Sequence, residues 1–209
     1  MFRQAFFEEL QRELELTIRT REKAISMFRT VITLSKQAIM ALHRYDSKLA
    51  QEKLHSATRN LHQATTMLSS YPDLVVGIKL AAYQEYAEAQ ILWSIIESET
   101  FPEPHHLNVP TLSFLLGLAD AVGEFRRRAL ESLRQGKIQR AEKCLRTMDT
   151  IYSHLLPLEN AYVLAPELRR KCDVARRLIE LTLGDVATAA GRQSLEQAIS
   201  RLEDHVSKR

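Results

Sequence analysis

Two cysteines, six glycines and six prolines are few for a chain of 209 residues, and each scarcity excludes something. Cys144 and Cys172 stand alone, without CxxC spacing, so neither a disulfide framework nor a cysteine zinc site is indicated. They read as reduced thiols of a cytosolic protein. So few helix breakers leave little room for turns and strands, while Leu, Ala, Glu, Arg and Gln, all good helix formers, abound. No uninterrupted apolar run reaches membrane-spanning length. The opening "MFRQAFFEELQRELE" is charged throughout, unlike a signal peptide. A cytoplasmic location with no membrane partner is the expectation. Also missing are a GxSxG elbow, a P-loop and a Gly-rich nucleotide fingerprint, which leaves nucleophilic hydrolysis and nucleotide binding without support.

What is present is ordinary for a soluble helical protein: 45% hydrophobic and 26% charged residues, with a net charge of +3. So small a basic excess permits a nucleic-acid partner without requiring one. The breakers predict six to seven helices in one elongated all-α bundle, a single domain over residues 1–209. The first helix runs from about Phe6 to Arg44, and a second, with Ser47 as N-cap, to about Ser70. Pro72-Asp73 opens a third, to about Glu99, and the loop "TFPEPHHLNVP" follows with three prolines. A fourth begins near Thr111 as N-cap and ends near Gly136, and a fifth covers about Ile138 to Leu155. A sixth runs from about Pro166 to Leu183, and "GDVATAAGR" leads to a short last helix. A first helix of about 38 residues would span nearly 60 Å, too long for one compact domain to cover. Part of it is expected to pack on another subunit, making the chain a homo-oligomer.

Two helices carry carboxylates where apolar residues are expected. On a wheel of the third helix, Lys79, Tyr83, Gln90, Ser94 and Glu97 form the wet face. Glu85 and Glu88 fall on the opposite strip with Ile78, Ala81, Ala89, Leu92 and Ile95, and their i, i+3 spacing puts them on one face. Like charges in a partly dry site repel, and desolvating each costs several kcal/mol unless something positive compensates. The fourth helix is apolar except for a strip of Ser113, Gly117, Asp120 and Glu124, whose small members would leave space above it. If the two pairs face each other, a hard divalent cation, Mg²⁺ or Mn²⁺, is the simple way to hold four carboxylates together. Ordinary ion pairs, Glu124 with Arg127 or Arg128 and Asp120 with a base elsewhere, remain the open alternative. A di-iron centre is disfavoured, because neither helix offers the Glu-x-x-His spacing such bundles use.

These residues resemble a known family. "YQEYAEAQ" followed by "VPTLSFLLGLADAVGEFRR" is similar to the translin superfamily, and specifically to its TRAX (translin-associated factor X) branch. The long first helix and "ELRRKCDVARRLIELTLGDVATAAGR" resemble the family too, so the likeness covers nearly the whole chain. The loop between the third and fourth helices is shorter than in animal TRAX, and the tail "QSLEQAISRLEDHVSKR" has no matched counterpart. Both departures suggest a prokaryotic relative working without a separate translin subunit.

The resemblance implies a translin-like fold, an octameric shell, and a metal-dependent endoribonuclease. Its catalytic acids and metal ligands would be Glu85, Glu88, Asp120 and Glu124, the same four that the helical wheels single out. The implied cofactor is Mg²⁺ or Mn²⁺ and the implied partner is RNA, with single-stranded DNA as a second nucleic acid. Arg19, Arg21 and Lys23 on the first helix, with Arg126, Arg127 and Arg128 after the acidic strip, are candidate phosphate contacts. Of the second group Arg127 lies nearest the acidic face. Tyr83, Tyr86 and Trp93 are weak candidates for base stacking. The competing function is a non-catalytic, translin-type RNA- or ssDNA-binding scaffold.

Overall fold

In the computed structural model, which describes residues 4–207 (without the side chains of Ala5, Val206 and Ser207), the chain is all-α, with no strand among the described residues. Eight helices follow one another: α1 (Gln4–His43), α2 (Ser47–Met67), α3 (Val76–Ser98), α4 (Pro104–Leu107), α5 (Thr111–Arg134), α6 (Ile138–Leu155), α7 (Glu159–Leu164) and α8 (Pro166–Ser207). They form two compact units, residues 1–117 and 118–209, divided within α5.

In the first unit α1 and α2 make an αα-hairpin closed by Arg44-Tyr45-Asp46, with Tyr45 in the left-handed region at φ 61°. The pairing is written in a seven-residue period. Ala50, Ala57 and Ala64 alternate with Leu54, Leu61 and Leu68 along α2, all buried. Ala24, Phe28, Val31, Ser35, Ala38 and Leu42 are buried at the same spacing along α1. Asp46 caps α2, its carboxylate accepting from the Leu49 N–H at 3.0 Å, while Ser47 donates instead to Glu97 at 2.6 Å. The cap is therefore one residue earlier than expected, because an Asp oxygen reaches the orphan amide as well as a Ser hydroxyl does. Similarly, α5 starts at Thr111 itself, with the Pro110 carbonyl accepting from the Phe114 N–H at 3.0 Å.

The second unit packs α6 against α8, with Ala141, Cys144, Met148, Ile151 and Leu155 buried on α6 and Leu168, Cys172, Ala175, Thr182 and Val186 on α8. The tyrosine of α7, Tyr162, donates to the Leu155 carbonyl at 2.9 Å and ties that short helix down. Burial and the contact with Cys172 push its phenol up to about 12. Two expectations are corrected here. Helix α7 was not foreseen, and α8 runs unbroken for 42 residues through "GDVATAAGR" rather than stopping near Leu183. Gly184 and Gly191 each weaken that helix by about 1 kcal/mol relative to Ala without ending it, since neither takes a positive φ.

The first helix has 40 residues. None of the described side chains of its early turns is buried within the chain: Phe6, Phe7, Leu10, Leu14, Leu16 and Ile18 are all exposed. No helix among the described residues is long and apolar enough to cross a membrane.

Candidate functional site

Helix α3 is buried nearly all round between Ala82 and Leu92, so the two-faced wheel drawn from its sequence is only half right. Tyr83, placed on the wet face by that wheel, is buried, and desolvation raises its phenol pKa. Ala81, placed on the dry strip, is exposed. The reason is the company α3 keeps. It packs on α1 and, with Tyr86 hydrogen-bonded to Thr58 at 2.8 Å, on α2 as well. Burial of Tyr83 and Tyr86 also removes two of the three aromatics considered as base platforms.

The glutamates themselves sit inside, as expected. Glu88 is only 9% exposed, one of five buried polar or charged residues among those described. Glu85, one turn earlier, is half-buried and receives the Lys36 ammonium of α1 at 3.2 Å. The positive charge absent from the local sequence is thus supplied from 49 residues away.

The strip on α5 is also real, but the space above its small residues is filled. Gly117 is buried, and a Cβ built there would lie 2.7 Å from the Gln84 carbonyl oxygen, 2.9 Å from the Glu88 nitrogen and 3.1 Å from the Ala87 Cβ. The glycine exists so that the α5 backbone can lie directly on the α3 backbone at Glu88. Ser113, one turn before, is buried too. The expectation of an open space is corrected: α3 occupies it.

In the second unit, Asp120 and Glu124 are half-buried, one turn apart on α5. Lys171 of α8 donates to Asp120 at 2.6 Å, and it also lies 3.7 Å from Glu167. Asp120 and Lys171 line a cleft of about 280 Å³ with Gly123, Arg170 and Val174. The pairing of Asp120 with a distant base is the ion-pair alternative raised by the sequence, here with its partner named. Among the described residues, neither acid pair gathers a third His, Cys, Asp or Glu donor of its own unit within 4.8 Å. A larger groove of about 920 Å³, between the end of α5 and α8, carries Arg134, Glu180 and Arg192 but none of the four acids.

The candidate phosphate contacts divide. Arg19, Arg21 and Lys23 are exposed on the uncovered part of α1, and Arg127 is exposed on α5. Arg128 is half-buried. Arg126 is engaged inside the second unit, 2.7 Å from the Thr182 hydroxyl and 3.1 Å from Asp185, and so takes no part as a free phosphate ligand. Lys36, Lys171 and Arg170 were missed by sequence reasoning, since nothing local marks a lysine as the partner of an acid some 50 residues distant.

Hard oxygen donors are what Mg²⁺ selects, and each carboxylate pair offers them. The two lysines are the cost, because an ammonium in hydrogen-bond contact must yield its carboxylate oxygen to a cation.

Comparison with known proteins gives a consistent answer. A protein of Methanocaldococcus jannaschii, itself described as uncharacterized, is 27% identical over 190 residues, covering 90% of this chain and 84% of that one. The solved structure of AfC3PO is 33% identical with a TM-score of 0.81, covering 89% of this chain and 97% of its own. The same protein solved as a complex with duplex RNA matches equally well, at 32% identity and a TM-score of 0.81. Apo-NeC3PO is similar at 25% identity, with a TM-score of 0.80. The Translin family model matches residues 19–180, and the chain belongs to that family.

Proposed function

We propose that this chain binds RNA as a homo-oligomer and cleaves its phosphodiester bonds as a Mg²⁺-dependent endoribonuclease. The observation that carries the proposal is Glu88, a carboxylate only 9% exposed on a stretch of helix where Tyr86, Ala87, Ala89 and Ile91 are buried as well. Buried acids of this kind are candidates for sites that do chemistry. Family membership supports it, as does the duplex-RNA complex of a relative 32% identical.

Glu85, Glu88, Asp120 and Glu124 are the proposed metal ligands. Bound there, Mg²⁺ would supply a water of lowered pKa and neutralise charge on the phosphate. The protein's own groups do the rest. Glu88 or Glu124 orients the water and takes its proton. Lys36 and Lys171 hold Glu85 and Asp120 in place and offset their charge before a cation arrives. Arg170, beside Lys171, and the exposed Arg127 attract the RNA backbone, and Arg19, Arg21 and Lys23, exposed on α1, offer further phosphate contacts.

One observation favours a second reading, a binding scaffold without catalysis: both Glu85 and Asp120 already have ammonium partners, as structural acids do. The experiment that decides is cleavage of labelled single-stranded and duplex RNA, with Mg²⁺ or EDTA, by wild type and Glu88→Ala. Cleavage by the wild type only in Mg²⁺, lost in a folded variant, supports the nuclease. Binding without cleavage by either protein establishes the scaffold.

A further inference from the structure

The Pro-rich connection between α3 and α5 holds a feature that RNA cleavage does not use. Glu103, His105 and His106 each offer a ligand atom, and these atoms all lie within 4.8 Å of one another. We propose that they form a zinc site, separate from the carboxylates of α3 and α5.

Successive residues on a helix point about 100° apart, so neighbouring side chains normally diverge. Here the two rings turn toward each other, with centroids 4.0 Å apart and planes at 52°. His105 Nδ1 also lies 3.2 Å from a Glu103 carboxylate oxygen. Two ligands on a tetrahedral zinc, each about 2.0–2.2 Å from the metal, are about 3.3 Å apart. A metal can therefore sit between Glu103 and His105 with almost no movement of either side chain.

The frame that carries them is stiff for an exposed loop. Pro102, Pro104 and Pro110 fix their φ angles. The turn closes through His106 N–H to the Glu103 carbonyl at 3.1 Å, and through Asn108 N–H to the His105 carbonyl at 3.3 Å. Asn108 takes the left-handed conformation, φ 52°, that lets the chain reverse. Val109, 8% exposed, pins the end of the loop into the core of its unit. The ligands are thus held on one short hydrogen-bonded frame, which lowers the entropy lost on chelation.

Donor type selects the ion. Two imidazoles and one carboxylate are the ligand set of zinc sites that keep a fourth position open for water. Mg²⁺, which requires oxygen ligands in octahedral array, is a poor match. All three residues are exposed, so zinc can enter without unfolding anything. Bound zinc would fasten the α4 turn, and with it the entry to α5.

The test is titration of zinc into the full-length protein, freed of metal by chelation, by calorimetry and by competition with a chromophoric chelator. One zinc per chain is expected, with affinity falling about tenfold or more in Glu103→Gln and further in the His105→Ala/His106→Ala double variant. Co²⁺ in place of zinc should show tetrahedral d–d bands without a thiolate charge-transfer band, which separates this site from Cys144 and Cys172. The titration is run in excess Mg²⁺, which occupies the carboxylates if they hold a metal, so failure of the nuclease reading leaves this result intact. Unchanged zinc affinity in the double variant overturns the proposal, as does a wild type that takes up no zinc at micromolar concentrations.

Discussion

Gly117→Ala should destabilise the protein although it adds a better helix former in the middle of α5. In an unobstructed helix the change stabilises by up to about 1 kcal/mol. Here the new methyl would fall 2.7 Å from the Gln84 carbonyl oxygen and 2.9 Å from the Glu88 nitrogen, closer than carbon approaches either atom. Both are backbone atoms of α3, so no rotamer change relieves the contact, and the helices must part. Overpacking of this kind costs about 1–3 kcal/mol. With backbone as the obstacle the cost lies in the upper part of that range, about 2–3 kcal/mol, and subtracting the propensity gain leaves a net loss of about 1–2 kcal/mol. Urea unfolding at fixed protein concentration measures it as a lower midpoint with an unchanged slope. Gly184→Ala on α8 is the control. Nothing lies within 4 Å of its Cβ position, so it should gain about 0.5–1 kcal/mol. A Gly117→Ala protein as stable as the wild type would refute the claim that α5 rests on the α3 backbone at this point.

Other expectations follow from single contacts. Asp46→Ala should cost about 1 kcal/mol through loss of the α2 cap, and Ser47→Ala much less, both read from urea midpoints. Lys171→Ala should lower stability by about 1–2 kcal/mol, because Asp120 loses a charged donor at 2.6 Å. On the nuclease reading the same variant should also bind Mg²⁺ more tightly, which calorimetry would show. Tyr162 gives a pH signature. Its pKa is raised in the fold, so the neutral phenol contributes stability that is full below its ordinary value of 10.0 and is lost as pH rises through about 12. A melting temperature that falls over that range in the wild type, and less steeply in Tyr162→Phe, checks it.

The helices were legible because their signals are local. The break at Gly136 set off the helix expected over about Ile138 to Leu155, and α6 has those limits. Glu88 was legible for the same reason: an acid in an apolar run stands out whatever lies around it. What could not be read was whatever depends on a second helix. Tyr83 looks wet on a wheel, and only the packing of α3 against other helices buries it. Lys36 and Lys171 look like surface lysines until the fold carries them to Glu85 and Asp120. The unbroken α8 shows the same limit from the other side, since two glycines weaken a helix without saying whether it stops.

The uncovered opening of α1 has a consequence for how the molecule should behave when diluted. Over residues 4–23 no described side chain is fully buried, and only Thr17 and Thr20 are even half-covered. A helix of about that length is marginal in water when nothing packs against it. Its amides should therefore exchange with solvent far faster than those beyond Ala24, where the α2 partner begins. If a second copy shields Phe6, Leu10, Leu14 and Ile18, that fast exchange will slow as protein concentration rises, and the slowing becomes a thermometer of assembly read residue by residue.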